Sequence, residues 1–592
     1  MDGSQIDAPF RDARYAPRRL EIERRPGGAV VLTNPTPYSD RFLTTLGAVV
    51  HWAAAAPDRQ WLAERSGGGW RTISYAEGLQ QVAALAGGFA GLGLGPGRCL
   101  LILARNGIDH ALVSYGAMAI GCPIAPVSPQ YGLKGADLSR LAHACSVLKP
   151  AAVYADDAAA FEDALGADFL AGLPVIASAN AGSGHIAFDD LVKSAPTAFT
   201  AKPDDTAKLL LTSGSTGRPK AVIGLHRNIA INAAQITACF DDPEPPVVVN
   251  AAPWSHSLGA NAILHMVTHR GGSLYIDAGQ PTPARFGETV RNLKEVATTY
   301  HNMVPAGWGL MAGELERDPD LARTFFSRVR VLQYGGASMA QSILDRVQAV
   351  AVATVGERIT FATGYGSTET GPTACNIHWL NARSGMMGLP VPGTSAKLEP
   401  VGEKFEMRVK GPQISPGYLG EPELSAAAHD EEGFYRLGDA GRFVDPADPG
   451  AGLIFDGRLV ENFKLASGTF VAAGALRVAA VSAIGGAVTD AVVCGEGQEG
   501  VGLMLFLDHR FDGRLDEARD LIRVGLSKMN AAAKGGGGRI ARAIILEGSP
   551  DAASGEITDK GYINQAMARD RRPAELAALF AEPPGSHVLV FD

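Results

Sequence analysis

Short apolar runs alternate along most of the chain with longer stretches in which apolar residues recur at helical spacing. Residues 247–252 read as a strand followed by a helix-like 258–267, and residues 330–333 read as a strand followed by 339–350. Alternation of this kind predicts α/β architecture, with mostly parallel sheets flanked by helices. Such sheets hold ligands in crevices at the carboxyl ends of their strands, so the loops after the strands are where chemistry is expected. The most apolar region, 111–127, is interrupted by Gly, Pro and Ser and follows Arg105 and Asp109. It is too short and too broken to cross a bilayer, so no integral membrane association is expected.

At 592 residues the chain exceeds what one hydrophobic core holds, and two or more domains are expected. The boundary falls at about Arg458. Residues 1–458 read as a large N-terminal domain with an N-terminal extension of about 40 residues, and 459–592 as a small α+β domain with a surface loop at Gly535–Gly538. The 71 glycines exceed the roughly 41 expected at about 7% usage and are spread through the chain, which signals many turns. A net charge of −9 without a long basic run argues against a nucleic-acid partner. Six dispersed cysteines show no metal-like pairing and read as reduced thiols of a cytoplasmic protein. The polar start Met1-Asp-Gly-Ser has no apolar core of a secretory leader.

The richest loop follows Leu209-Leu-Leu211: Thr212-Ser-Gly-Ser-Thr-Gly-Arg-Pro-Lys220. Hydroxyls of Thr212, Ser213, Ser215 and Thr216, backbone N–H groups freed at Gly214 and Gly217, and the cation of Lys220 suit a polyphosphate. The spacing is not that of the kinase and GTPase P-loop. Downstream, Val331-Leu-Gln-Tyr-Gly-Gly-Ala-Ser338 runs a strand into Gly335, Gly336 and Ala337, a low-bulk surface on which a flat ring such as adenine can stack. Phe361-Ala-Thr-Gly-Tyr-Gly-Ser-Thr-Glu-Thr-Gly371 follows. It offers the aromatic face of Tyr365, the turn Gly366-Ser367, the hydroxyl of Thr368 and the carboxylate of Glu369, a natural Mg2+ ligand beside phosphates. Asp439 in Gly433-Phe-Tyr-Arg-Leu-Gly-Asp439, read as a strand end, can accept ribose hydroxyls, and Arg458 adds a cation nearby.

Taken in order, these segments resemble the core motifs of the ANL superfamily of adenylate-forming enzymes, which includes acyl- and aryl-CoA synthetases. The segment from Leu100 to Pro129 is similar to that family's early strand–helix–strand. Phe455-Asp-Gly-Arg-Leu-Val-Glu-Asn-Phe-Lys-Leu-Ala-Ser-Gly-Thr-Phe-Val471 and the tail Gly555-Glu-Ile-Thr-Asp-Lys-Gly-Tyr-Ile-Asn564 resemble the feruloyl-CoA synthetase branch.

The resemblance implies an AMP-forming acid:CoA ligase acting on a hydroxycinnamate such as ferulate, with ATP, Mg2+ and coenzyme A as cofactor and co-substrates. A benzoate-type or medium-chain acid is the alternative, and a degenerate nucleotide-binding protein a further one. It implies catalytic roles for Lys560, Thr368, Glu369 and His256, the last from Pro253-Trp-Ser-His-Ser-Leu-Gly259 beside the acid's carboxylate. Trp254, Asn302, Met303 and Val304 are placed near the acid by the same likeness. The small domain is implied to be mobile, swinging between two poses; Val460 stands where the family's hinge residue is often Asp or Lys. Lys464 and Ser467-Gly468 belong to the face turned inward in the second pose. A homodimer is left open.

Overall fold

The computed structural model describes residues 8–213, 219–402, 404–459, 463–533, 536–548, 550, 556 and 563–591. Leu100–Leu103, four buried aliphatic residues in a row, form a strand covered on both faces, as a continuous apolar run predicts. It lies at the centre of a seven-stranded sheet with Pro219–Leu225 at one edge and Ile186–Ala187 at the other. All pairings in that sheet are parallel except Thr206–Ser213 with Pro219–Leu225. The apolar region flagged in the sequence contains the helix Ile108–Ala119, buried on nearly all sides, and the strand Ile124–Pro126. Among the described residues no helix is long and apolar enough to cross a membrane.

A four-stranded sheet (Val247–Asn250, Ser273–Ile276, Gln60–Ser66, Gly69–Ser74) is parallel but for its last strand. An eleven-stranded sheet joins two kinds of pairing. Tyr300–Met303, Val331–Tyr334 and Thr360–Tyr365 are parallel, as the strand–helix alternation required. From Cys375–Asn376 onward the sheet continues antiparallel, through Met386–Pro390, Leu453–Arg458, Tyr435–Phe443, Lys404–Lys410 and Ser395–Val401. Strand–helix alternation is silent about this half, because its strands follow one another without crossover helices. The N-terminal hairpin Glu21–Arg24 and Val30–Thr33 completes its far edge by pairing with Ser395–Val401. Arg11 ties the segment before it to the Phe326 and Val329 carbonyls at 2.6 and 3.0 Å.

Residues from 463 onward form a helix-flanked sheet of Val488–Cys494, Val501–Leu507, Ile540–Leu546 and Val588–Val590, plus the hairpin Phe463–Lys464 with Phe470–Val471. Two buried clusters fill this part, and both draw only on residues after 462. All six cysteines are buried free thiols. The chain is thus α/β, with a large N-terminal part and a small α+β C-terminal part. Of the surface loop expected at Gly535–Gly538, the described residues Gly536–Gly538 form one 3-10 turn.

Candidate nucleotide-binding site

The polyphosphate-type loop is the tip of a β-hairpin. Thr206–Ser213 pairs antiparallel with Pro219–Leu225, setting Thr212 opposite Lys220 and Ser213 opposite Pro219. Gly214, Ser215, Thr216 and Gly217 lie outside the described residues, so the structure fixes the stem on which they sit. Proline at the first position of the return strand gives up no ladder bond there. A third segment clamps the stem: the Ile223 amide donates to Gly417 O at 3.0 Å and the Leu419 amide to Ala221 O at 2.9 Å. This places Tyr418 over the hairpin, with the Lys220 ammonium 5.6 Å from its ring centroid, a cation–π distance.

The strand Thr360–Tyr365 ends at Gly366, where a Cβ would run into Pro372 O and the Thr370 hydroxyl, so only glycine makes the bend. A 3-10 turn, Thr368–Thr370, then presents two side chains. Thr368 Oγ1 lies 3.1 Å from Ser257 Oγ. Glu369 is buried, and its Oε1 accepts the Tyr418 hydroxyl at 2.9 Å. With the Tyr418 proton engaged on Glu369, Tyr435 is the donor in the 3.0 Å contact between the two phenols. Burial first, and the Glu369 charge second, push the Tyr418 phenol up to about 12, so it stays a donor at any physiological pH.

Asp439 stands within the strand Tyr435–Phe443, not at its end as the glycine before it suggested. The pairing brings it opposite Arg458, with a register irregularity between Asp439 and Gly441. The Tyr365 hydroxyl donates to Asp439 Oδ2 at 2.8 Å, and Arg458 Nε lies 3.5 Å from Oδ1. Three residues named separately from the sequence thus meet at one point. Burial, with Asp439 beside it, holds the Tyr365 phenol well above its usual range.

The His256 segment is held from the opposite sheet. Asn106 bridges it, donating to Ala252 O and accepting from the Trp254 amide, both at 2.9 Å. Trp254 packs edge-on to His110 in the large core, its ring 5.1 Å away. His256 is half-buried, and the chain behind it enters a π-helix, Leu258–Ile263, continued as the α-helix Leu264–His269. Apolar periodicity announced a helix here but not its wide turn. At Gly259 a Cβ would strike the Ala252 and Pro253 carbonyls, so the turn seats directly on the preceding loop. Leu258 reaches the Gly335 position, and Val304 the neighbouring Gly336, gathering the adenine-type turn Gly335-Gly336-Ala337 to the same place. Asn302 is buried and donates to Gln333 Oε1 at 2.9 Å.

The side chains of Tyr418 and Tyr435 were not assigned roles from sequence. Tyr418 had a local signal, the turn Ser415-Pro-Gly-Tyr418, but its partner Glu369 is distant in the chain. Lys560 and Val460 lie outside the described residues. Lys464 is in the small hairpin, its carbonyl accepting from the Gly497 amide at 3.0 Å. Among the described residues no group of three His, Cys, Asp or Glu is poised to hold a metal ion.

Comparison with known proteins identifies the family. Residues 49–419 match the AMP-binding enzyme family, a span that takes in the hairpin, the Tyr365–Glu369 segment and Tyr418. The chain is 26% identical over 428 residues to 4-coumarate–CoA ligase 2 of Oryza sativa subsp. japonica, covering 67% of this chain and 72% of that protein. It is 27% identical over 385 residues to a feruloyl-CoA synthase of an Amycolatopsis species, covering 63% and 71%. Its fold superposes on a benzoate CoA ligase from Burkholderia xenovorans LB400 with a TM-score of 0.70 at 19% identity, covering 89% of this chain and 99% of that one. With the match extending over well more than half its length, the chain belongs to the AMP-binding enzymes, the adenylate-forming ANL superfamily.

Proposed function

We propose that this protein is an AMP-forming acid:CoA ligase that activates an aromatic acid of the hydroxycinnamate type. The observation that carries the nucleotide half of this reading is Glu369, a buried carboxylate held by Tyr418 beside the hairpin that bears Lys220. Its hard oxygen donors fit Mg2+ together with nucleotide phosphates. Bound there, the metal would neutralise phosphate charge. Lys220 and the loop Thr212–Gly217 would cradle the phosphates. Tyr365, Asp439 and Arg458 form a polar cluster suited to ribose hydroxyls, and Gly335-Gly336-Ala337 leave room for adenine. His256 and Thr368 flank the place where the acid's carboxylate would meet the α-phosphate.

In the first half-reaction that carboxylate attacks the α-phosphate and pyrophosphate leaves. Two anions must approach, so the work is positioning and charge neutralisation. Lys560, on the C-terminal unit 459–592, is assigned the further cation of this step. In the second half-reaction the CoA thiol attacks the acyl carbonyl and AMP departs. The hydroxycinnamate assignment is supported by the names of the relatives, 4-coumarate–CoA ligase and feruloyl-CoA synthase, and by the likeness of the 455–471 segment and the tail. The same reading places the protein in the cytoplasm.

The test is product analysis with a panel of ferulate, p-coumarate, caffeate, benzoate and octanoate. ATP should yield AMP and pyrophosphate only when an acid is present, and AMP should accompany thioester when CoA is added. ADP as the sole nucleotide product overturns the assignment. A fatty acid preferred over the hydroxycinnamates by more than about tenfold, ~1.4 kcal/mol of transition-state stabilisation, overturns the aromatic part.

A further inference from the structure

One buried ion stands outside the site described above. Lys208 is 2% exposed, on the strand that runs into the phosphate-loop hairpin four residues later. No carboxylate pairs with it among the described residues. Its Nζ instead meets three neutral acceptors: Ala260 O at 2.8 Å, Asn261 Oδ1 at 3.3 Å and His265 Nε2 at 2.9 Å. All three belong to the π-helix and the turn that continues it. The hydrogen-bond register explains why the first is available. The Leu264 amide reaches back five residues to Gly259 O, so it does not take Ala260 O, the carbonyl an α-helix would give it. The lysine ammonium occupies the position of that missing donor.

With the ring proton of His265 on Nδ1 and donated to the Tyr115 hydroxyl at 3.1 Å, Nε2 is the acceptor for Lys208 Nζ. Burial holds His265 well below its usual range and pushes Lys208 down to about 7. The remaining titratable groups that feel this charge are His226 and His110, both lowered chiefly by burial.

We infer that Lys208 is a positioning residue for the acid half of the site: it holds the wide turn that presents His256, Ser257 and Leu258, and locks that turn to the strand carrying the phosphate loop. The inference rests on the acid-binding role proposed for this segment. Without the ammonium, Ala260 O is left buried and unpaired, and the turn relaxes toward an α-register, which rotates its side chains about the helix axis. The strand itself is anchored independently by its ladder to Pro219–Leu225, so the phosphate loop should stay in place.

The test compares wild type with Lys208→Met, which keeps bulk but donates nothing, and Lys208→Gln, which keeps a donor. The KM for the preferred acid is expected to rise about tenfold or more in Lys208→Met, the scale of hydrogen bonds to a charged group, with partial recovery in Lys208→Gln. ATP affinity measured without acid should stay within about twofold. Hydrogen exchange of amides 257–265 should quicken in Lys208→Met while that of 219–225 is unchanged.

A folded Lys208→Met with wild-type acid KM and wild-type exchange over 257–265 overturns the inference. So does an equal loss of ATP and acid affinity, which marks general destabilisation. Should Lys208→Met not fold, the same readouts on Lys208→Gln decide. If wild type activates no acid in the panel, the proposed function has failed, and the exchange comparison alone still decides whether Lys208 holds this turn.

Discussion

Glu369 and Asp439 are both buried carboxylates, and each accepts a tyrosine hydroxyl, from Tyr418 at 2.9 Å and from Tyr365 at 2.8 Å. They differ in what stands on the other side. Asp439 has the Arg458 guanidinium 3.5 Å away, across a strand pair. Glu369 has no ion-pair partner among the described residues; its second neighbour is another phenol, Tyr435, behind Tyr418. A buried carboxylate without a cation is expensive unless a cation arrives. On the proposed reading the compensated site would take neutral hydroxyls, and the uncompensated one a positive ligand that comes with the nucleotide. One neighbouring arginine is the difference between the two carboxylates.

Removing charge from each carboxylate should break this symmetry most visibly. Glu369→Gln is expected to slow acyl-AMP formation by about 10²–10³, the scale of one key electrostatic group, and to make the rate much less sensitive to Mg2+ concentration. Pyrophosphate exchange across a Mg2+ series checks this, and an unchanged Mg2+ dependence contradicts it. Lys560→Ala asks whether the missing positive charge is also supplied by protein. It should slow acyl-AMP formation by roughly 10²–10³ yet leave thioester formation from synthetic feruloyl-AMP near normal. Equal damage to both half-reactions would contradict an alternation of poses.

Asp439→Asn should be gentler, raising the KM for ATP by about tenfold with kcat little changed, as for loss of a charged acceptor to hydroxyls. Steady-state kinetics with ATP varied separates the two carboxylates: a large fall in kcat for Asp439→Asn would erase the distinction drawn above. The smallest effect concerns pH. Because the Tyr418 phenol is raised to about 12, its proton stays on and the hydrogen bond to Glu369 persists below that value. Wild type and Tyr418→Phe should therefore change rate in parallel between about pH 8 and 10, a loss at Tyr418→Phe being pH-independent there. A falling limb present only in wild type would show that the phenol ionises earlier.

Part of the candidate site was legible in the sequence because glycine and polar residues break the apolar pattern around it. Tyr365, Asp439 and Arg458 were each named from their own local pattern, and they converge. What could not be read is what depends on long-range register. The return strand Pro219–Leu225 looks like any apolar run, and nothing near it announces the clamp from Gly417 and Leu419. The antiparallel half of the large sheet leaves no periodic trace of its partner order. Lys208 was visible as a lysine in the apolar run Ala207-Lys-Leu-Leu-Leu211, a charge where a buried strand wants none. Its meaning lay in the acceptors, and those sit on a helix whose extra residue per turn no apolar pattern reveals.

The N-terminal hairpin carries a consequence for how the chain is made. Thr33 pairs with Ser395, some 360 residues later, so the edge of the largest sheet cannot close until the residues between them have been synthesised. At ~5–20 residues per second this is a wait of roughly 20–70 s, during which Val30, Val31 and Leu32, all buried in the finished protein, have no native strand to join on the side opposite Glu21–Arg24. Glu21-Ile-Glu-Arg24, exposed throughout, is their one early neighbour, and its charges lie along the side from which a wrong strand would approach. A strand made early in this fold waits for a partner made some 360 residues later.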